Sequence, residues 1–308
     1  MIESEVWAIT FVFVAAMTWF GAIALQHANL FWKYIGITAI KVGKRTGLAI
    51  APVLITTCLA AAQVNQPSEQ MADNDLFLYY YKDPRPERLV GFLERYGRNA
   101  SSSASPWSAF PPAVGFFAVV FREHPEWIER LIPSHFDARS AVAIDAALQL
   151  SGNSAVRQAL QPRFAASGSD TTLKGELGSL PSQIMDIQIA RPTHLDIFWG
   201  AFFSSGDERY VRRIIDFLAR TADRSELIAM DVARTAVAMS GGPKEIYGQL
   251  REKYDQALGM EIVFAATAGW ALGANAQRHE NVARAVTTYI SEHPSAYATK
   301  VLSVLRSR

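Results

Sequence analysis

The sequence predicts an all-α protein: an array of helical hairpins, solenoid-like or irregular, behind an N-terminal membrane or signal region. Three observations carry that expectation. Apolar residues recur at helical spacing, as in Val211, Ile214, Ile215, Leu218 and Ala222, with Arg209, Arg212, Arg213, Asp216 and Arg220 on the opposite side. No run shows the strict alternation of a half-buried strand. Four segments align on an aromatic, a turn and, twelve residues after the aromatic, an aliphatic.

The chain begins with two uncharged runs. Val6–Leu25 is twenty residues long, enough for a helix to cross a hydrocarbon core of ~30 Å. Trp7, Trp19 and Phe20 lie near its ends, where aromatic rings favour the headgroup layer. The second run, Thr46–Ala62, follows Lys41, Lys44 and Arg45 and ends on Ala60-Ala61-Ala62, which fits a signal peptide with a small-residue exit. It also has the minimum length for a second span. Ile55-Thr56-Thr57-Cys58 resembles a bacterial lipobox, although Thr57 stands where a small residue such as Gly, Ala or Ser belongs. All three alternatives stay open, as does whether residues 1–40 belong to the native product. A hairpin anchor and a signal peptide both place residues 63–308 on the outer, periplasmic side, because the basic loop stays cytoplasmic.

Beyond this membrane-anchor or signal region (1–62), residues 63–75 form a polar tether. Residues 76–163 and 192–308 are the two halves of the helical array, separated by an irregular linker, 164–191, in which Gly168, Gly175, Gly178 and Pro181 oppose regular helix outside 183–189.

Within the array the repeated pattern joins Phe77 to Leu89, Phe116 to Ile128, Trp199 to Val211 and Trp270 to Val282. Apolar pairs follow three and four residues later at Phe92/Leu93, Leu131/Ile132, Ile214/Ile215 and Ala285/Val286. Turns fall between the members at Asp83-Pro84, His124-Pro125, Gly206-Asp207 and Arg278-His279. Each unit is expected to be a hairpin whose second helix folds back over the aromatic ring. Further hairpins are expected at Gly152-Asn153 and Gly241-Gly242-Pro243. The tetratricopeptide consensus is not met: with Trp199 as its tryptophan, Phe203 falls where glycine belongs and Gly206 where tyrosine belongs.

Composition excludes several functions. Of 30 basic and 29 acidic residues, 26 and 27 lie in residues 63–308, so no basic field for nucleic acid exists there. The single cysteine, Cys58, precedes that region, which therefore has neither disulfides nor a cysteine nucleophile. No HExxH, phosphate-binding glycine loop or GxSxG elbow occurs. No catalytic, cofactor-binding or metal-ligating residue is assigned. His124 and His293 are expected at helix ends, Gly241-Gly242-Pro243-Lys244 as a turn, and the serine-rich stretch 99–108 as a flexible loop. The expected role is a non-enzymatic, membrane-anchored or exported protein that binds a protein or peptide partner. The alternative is an envelope enzyme using His194, Asp196, Asp207 and Glu208, although His194 and Asp196 are two apart and point away from each other on a helix.

Overall fold

A computed structural model of the chain describes residues 69–101, 106–177, 180–241 and 245–306. The two apolar runs at 6–25 and 46–62, the Cys58 lipobox and residues 242–244 of the glycine turn lie outside the described residues. Contacts divide the chain after Leu76. The first unit is described only over 69–76, which are helical, so a helix begins inside the expected tether. Everything that follows concerns Phe77–Arg308.

The protein is all-helical over its described residues. Its α-helices are α1 (Glu69–Tyr79), α2 (Phe92–Ser101), α3 (Pro106–Glu123), α4 (Ile128–Leu131), α5 (Ala138–Ser151), α6 (Ser154–Ala166) and α7 (Thr171–Leu177). There follow α8 (Pro192–Ser205), α9 (Glu208–Ala222), α10 (Glu226–Met239), α11 (Ile246–Lys253), α12 (Gln256–Ala276), α13 (Glu280–Glu292) and α14 (Tyr297–Arg306). Side-chain caps set several starts: Asp137 accepts from the Ser140 amide, Asp207 from Arg209, Ser225 from Ile228 and Asp255 from Leu258. Gly152 and Gly206 end α5 and α8 with φ of 77° and 68°, the left-handed region that favours glycine.

Neighbouring helices pack in a row: α5 on α3, α3 on α8, α8 on α9, α9 on α12 and α12 on α10. Helix α8 (PTHLDIFWGAFFSS) is apolar on nearly every side, as a helix enclosed by others must be. It meets α3 through a reciprocal glycine contact. A Cβ on Gly115 would lie 1.9 Å from the Ile197 carbonyl oxygen, and one on Gly200 would lie 1.8 Å from that of Pro112. Arg122, near the end of α3, bonds the Tyr210 hydroxyl just beyond the end of α8, so the two helices run in the same direction. Against this pair lies an aromatic cluster in which Phe77 stacks on Phe116 at 4.7 Å and meets Phe203 edge-on at 6.0 Å.

Every residue of the aromatic and aliphatic pairs is buried except Trp270, which is half-buried. Two of the expected hairpins have abbreviated second arms. After Asp83 and His124 the chain enters 3-10 turns, Pro86–Leu89 and Pro125–Trp127, and α4 is one turn long. Proline opens both segments, and Gly91 (φ 75°) and Pro133 stop them soon after. The expected linker, 164–191, lies within one compact unit and is partly helical. Helix α7 forms despite Gly175 because Asp170 caps the Leu173 amide and pairs with Arg139 at 2.8 Å, while Leu173 and Leu177 are buried. That amide bond holds the Asp170 carboxyl below the usual range. Only Ile184–Asp186 of the stretch expected to allow helix is helical, as a 3-10 turn. Around the serine-rich stretch, helix continues to Ser101 and resumes at Pro106.

Helix α12 is, among the described residues, the one helix long and apolar enough to cross a membrane. Its Ile262, Ala265, Ala266, Ala268 and Leu272 are buried against its neighbours.

Candidate functional site

The side chains singled out in the sequence separate into two places. His194 stands in the first turn of α8, where its Nδ1 lies 3.3 Å from the Ala190 amide and 2.9 Å from the Gln188 carbonyl oxygen. Burial pushes the imidazole below its usual range. Asp196 makes no hydrogen bond among the described residues, and burial raises its carboxyl to about 7 although part of the residue reaches the surface. Asp207 and Glu208 lie beyond the other end of α8, roughly 15–20 Å away along the axis at ~1.5 Å per residue. Asp207 is engaged by Arg209, and Glu208 pairs with Arg284. The two pairs therefore stand at opposite ends of α8.

His293 sits at the end of α13 with its ring stacked on Tyr289 at 4.4 Å, and His124 follows α3 with its amide bonded to Val120. His279 is different. It is 1% exposed and ringed by Tyr79, Tyr81, Phe202 and Phe203 at 5.1–5.8 Å. Its Nδ1 meets the Tyr81 hydroxyl, its Nε2 has no partner among the described residues, and burial lowers its pKa to about 4. At 1% exposure the ring belongs to the core. Among the described residues no group of three His, Cys, Asp or Glu side chains is placed to hold a metal.

A surface groove of about 360 Å³ lies between α9 and α12, bordered by Ile189 and Ala190. It follows from local sequence. Arg213, Phe217 and Arg220 are spaced three and four apart and share one face of α9, Arg224 follows in the turn after it, and Ala257, Met260, Glu261 and Phe264 share one face of α12. Phe217 is buried at the groove's base, with Phe264 and Met260 half-buried beside it. Arg213 donates to the Ile187 carbonyl at 3.1 Å and so ties the extended chain before α8 to α9.

The groove's charges are unequally satisfied. Glu261 accepts from Arg224 at 2.8 Å and from the Thr221 hydroxyl at 3.0 Å. Arg220 lies over the Phe217 ring, 5.4 Å from its centroid, and has no ion-pair partner among the described residues. An apolar floor with one free guanidinium at its rim fits a ligand that is both aliphatic and acidic. This groove escaped the sequence reading because its aromatics lie off the apolar stripes. The available signal was Phe217, an aromatic on the arginine side of α9.

No protein-family model matches the chain, and neither a curated protein nor a solved structure matches it.

Proposed function

We propose that residues 63–308 form a non-enzymatic binding domain for a protein or peptide partner, held at a membrane or exported by the N-terminal region, on its outer side. The open groove between α9 and α12 carries this reading, because an apolar floor rimmed by charge suits recognition rather than turnover.

A stacked-hairpin arrangement is supported by contacts among successive turns. Arg122 of one turn reaches Tyr210 of the next, Asn281 donates to the Gly206 carbonyl at 2.8 Å, and Arg284 pairs with Glu208. Stacked hairpins expose extended surfaces of this kind.

A photo-crosslinking amino acid at Ala257, inside the groove, should capture a partner in living cells, and one at Gln161 on α6 should not. Crosslinks at neither position nor elsewhere on the exposed surface would end the binding hypothesis. A cysteine introduced at Gln161 in a Cys58→Ser background should react with a membrane-impermeant thiol reagent in intact cells whose outer barrier is opened. Protection there would place the domain on the inner side.

A further inference from the structure

The chain bordering the groove offers more than a wall. Ile187 and Arg191 have extended backbone, with φ/ψ of −66°/121° and −145°/154°. In an extended chain the backbone groups of alternate residues point to the same side. His194 Nδ1 lies on one side, within reach of the Gln188 carbonyl and the Ala190 amide, and bonds one or the other according to its tautomer. The Ile187 carbonyl, on the other side, accepts from Arg213 of α9. Ile189, two residues on, borders the groove, and neither its N–H nor its C=O has a hydrogen-bond partner among the described residues. A backbone donor and acceptor left open beside an apolar groove are what an added strand requires.

Charge narrows the occupant. Arg224 and Glu261 neutralise one another, which leaves Arg220 as the uncompensated charge in the groove. We propose that the groove takes an extended acidic peptide segment of a partner protein, which pairs its backbone with Ile189, seats an aliphatic side chain on Phe217 and Phe264, and sets a carboxylate on Arg220. This rests on the partner-binding function proposed above and adds the partner's chemistry. A single-chain anionic amphiphile would satisfy Arg220 and the apolar floor but would leave the Ile189 amide and carbonyl open, which favours the peptide.

The test uses the full chain in a non-ionic detergent and fluorescence anisotropy with labelled nonapeptides. A peptide alternating Leu and Glu should bind. One alternating Leu and Lys should bind about tenfold more weakly or not at all, and so should the Leu/Glu peptide N-methylated at alternate amides. Arg220→Glu and Ala257→Trp, both exposed sites, should each weaken the Leu/Glu peptide by about tenfold with unchanged far-UV circular dichroism, while Arg220→Lys keeps most of the affinity. Equal binding of the Leu/Glu and Leu/Lys peptides, or indifference to both Arg220→Glu and Ala257→Trp, overturns the proposal. So does saturable binding of dodecyl phosphate in the groove with no peptide binding. If Ala257 crosslinks a partner in cells while the acidic peptides fail, the binding function stands and this chemistry falls. If neither occurs, both fall.

Discussion

The Tyr81 hydroxyl and His279 Nδ1 lie 3.2 Å apart across 198 residues of chain. The same Tyr81 ring fills the space beside Gly206, where an added Cβ would fall 2.6 Å from its Cδ2. One tyrosine thus joins the segment after α1 to the turns α8–α9 and α12–α13. These are three of the four turns that separate the repeated aromatic and aliphatic residues.

His279 should make the protein acid-sensitive. Its folded pKa of about 4 lies below the ordinary histidine value, so the unfolded chain binds the extra proton between those limits. Stability is therefore full near neutrality and falls as pH drops from about 6.5 toward 4, by up to ~3 kcal/mol. His279→Phe should flatten that slope in denaturant midpoints measured across the range. An unchanged slope would assign the acid sensitivity to other groups.

Asp196 should act in the opposite direction. Burial holds its folded pKa at about 7, above the ordinary carboxylate value, so ionisation favours the unfolded chain. The stability associated with its neutral form is full below about pH 4 and is lost as pH rises through 7. Asp196→Asn should match the parent at pH 4 and exceed it at pH 8. Equal midpoints at pH 8 would show that the carboxyl ionises freely in the folded protein.

The α3–α8 crossing should tolerate no side chain. Gly115→Ala or Gly200→Ala places a methyl against a backbone carbonyl, which no rotamer change relieves, and should cost about 3 kcal/mol or more. Gly248→Ala, inside α11 with nothing within 4 Å of the new Cβ, should instead stabilise by ~0.5–1 kcal/mol. Denaturant titration of the three variants checks both signs together.

The buried Asp231 should hold α11 in place, since it accepts from both Lys253 and the Tyr254 hydroxyl and is 3% exposed. Asp231→Ala should cost about 2 kcal/mol and speed tryptic cleavage at Arg251 and Lys253 through local opening. Asp231→Asn, which still accepts a bond from Tyr254, should lose less. Equal cleavage rates for all three proteins would mean that α11 is held by packing alone.

Helix class was legible in the sequence because it depends on spacing along the chain. The stripe Val211–Ile214–Ile215–Leu218, Asp207 at a helix start and Gly152 and Gly206 at helix ends are all local signals, and each serves as expected. Helix length was less legible. The second arms after His124 and Asp83 carry the same apolar spacing as the others, yet nearby proline and glycine end them. Helix α7 forms over Gly175 because Arg139, 31 residues from Asp170, completes its cap. The groove was hidden for a related reason. Phe217 and Phe264 are 47 positions apart, and only the packing of α9 on α12 brings them to one site.

The sequence by itself determined that the chain folds as helices, where many of them start and stop, and which rings and aliphatics enter the core. Those outcomes follow from periodicity and capping, which act over one or two turns. Tertiary structure alone decided that Gly115 and Gly200 meet, that His279 is enclosed by aromatics, and that Ile189 borders Arg220 beside an apolar floor. Each of these depends on which helix faces place themselves together, a choice made by shape and burial across the whole unit.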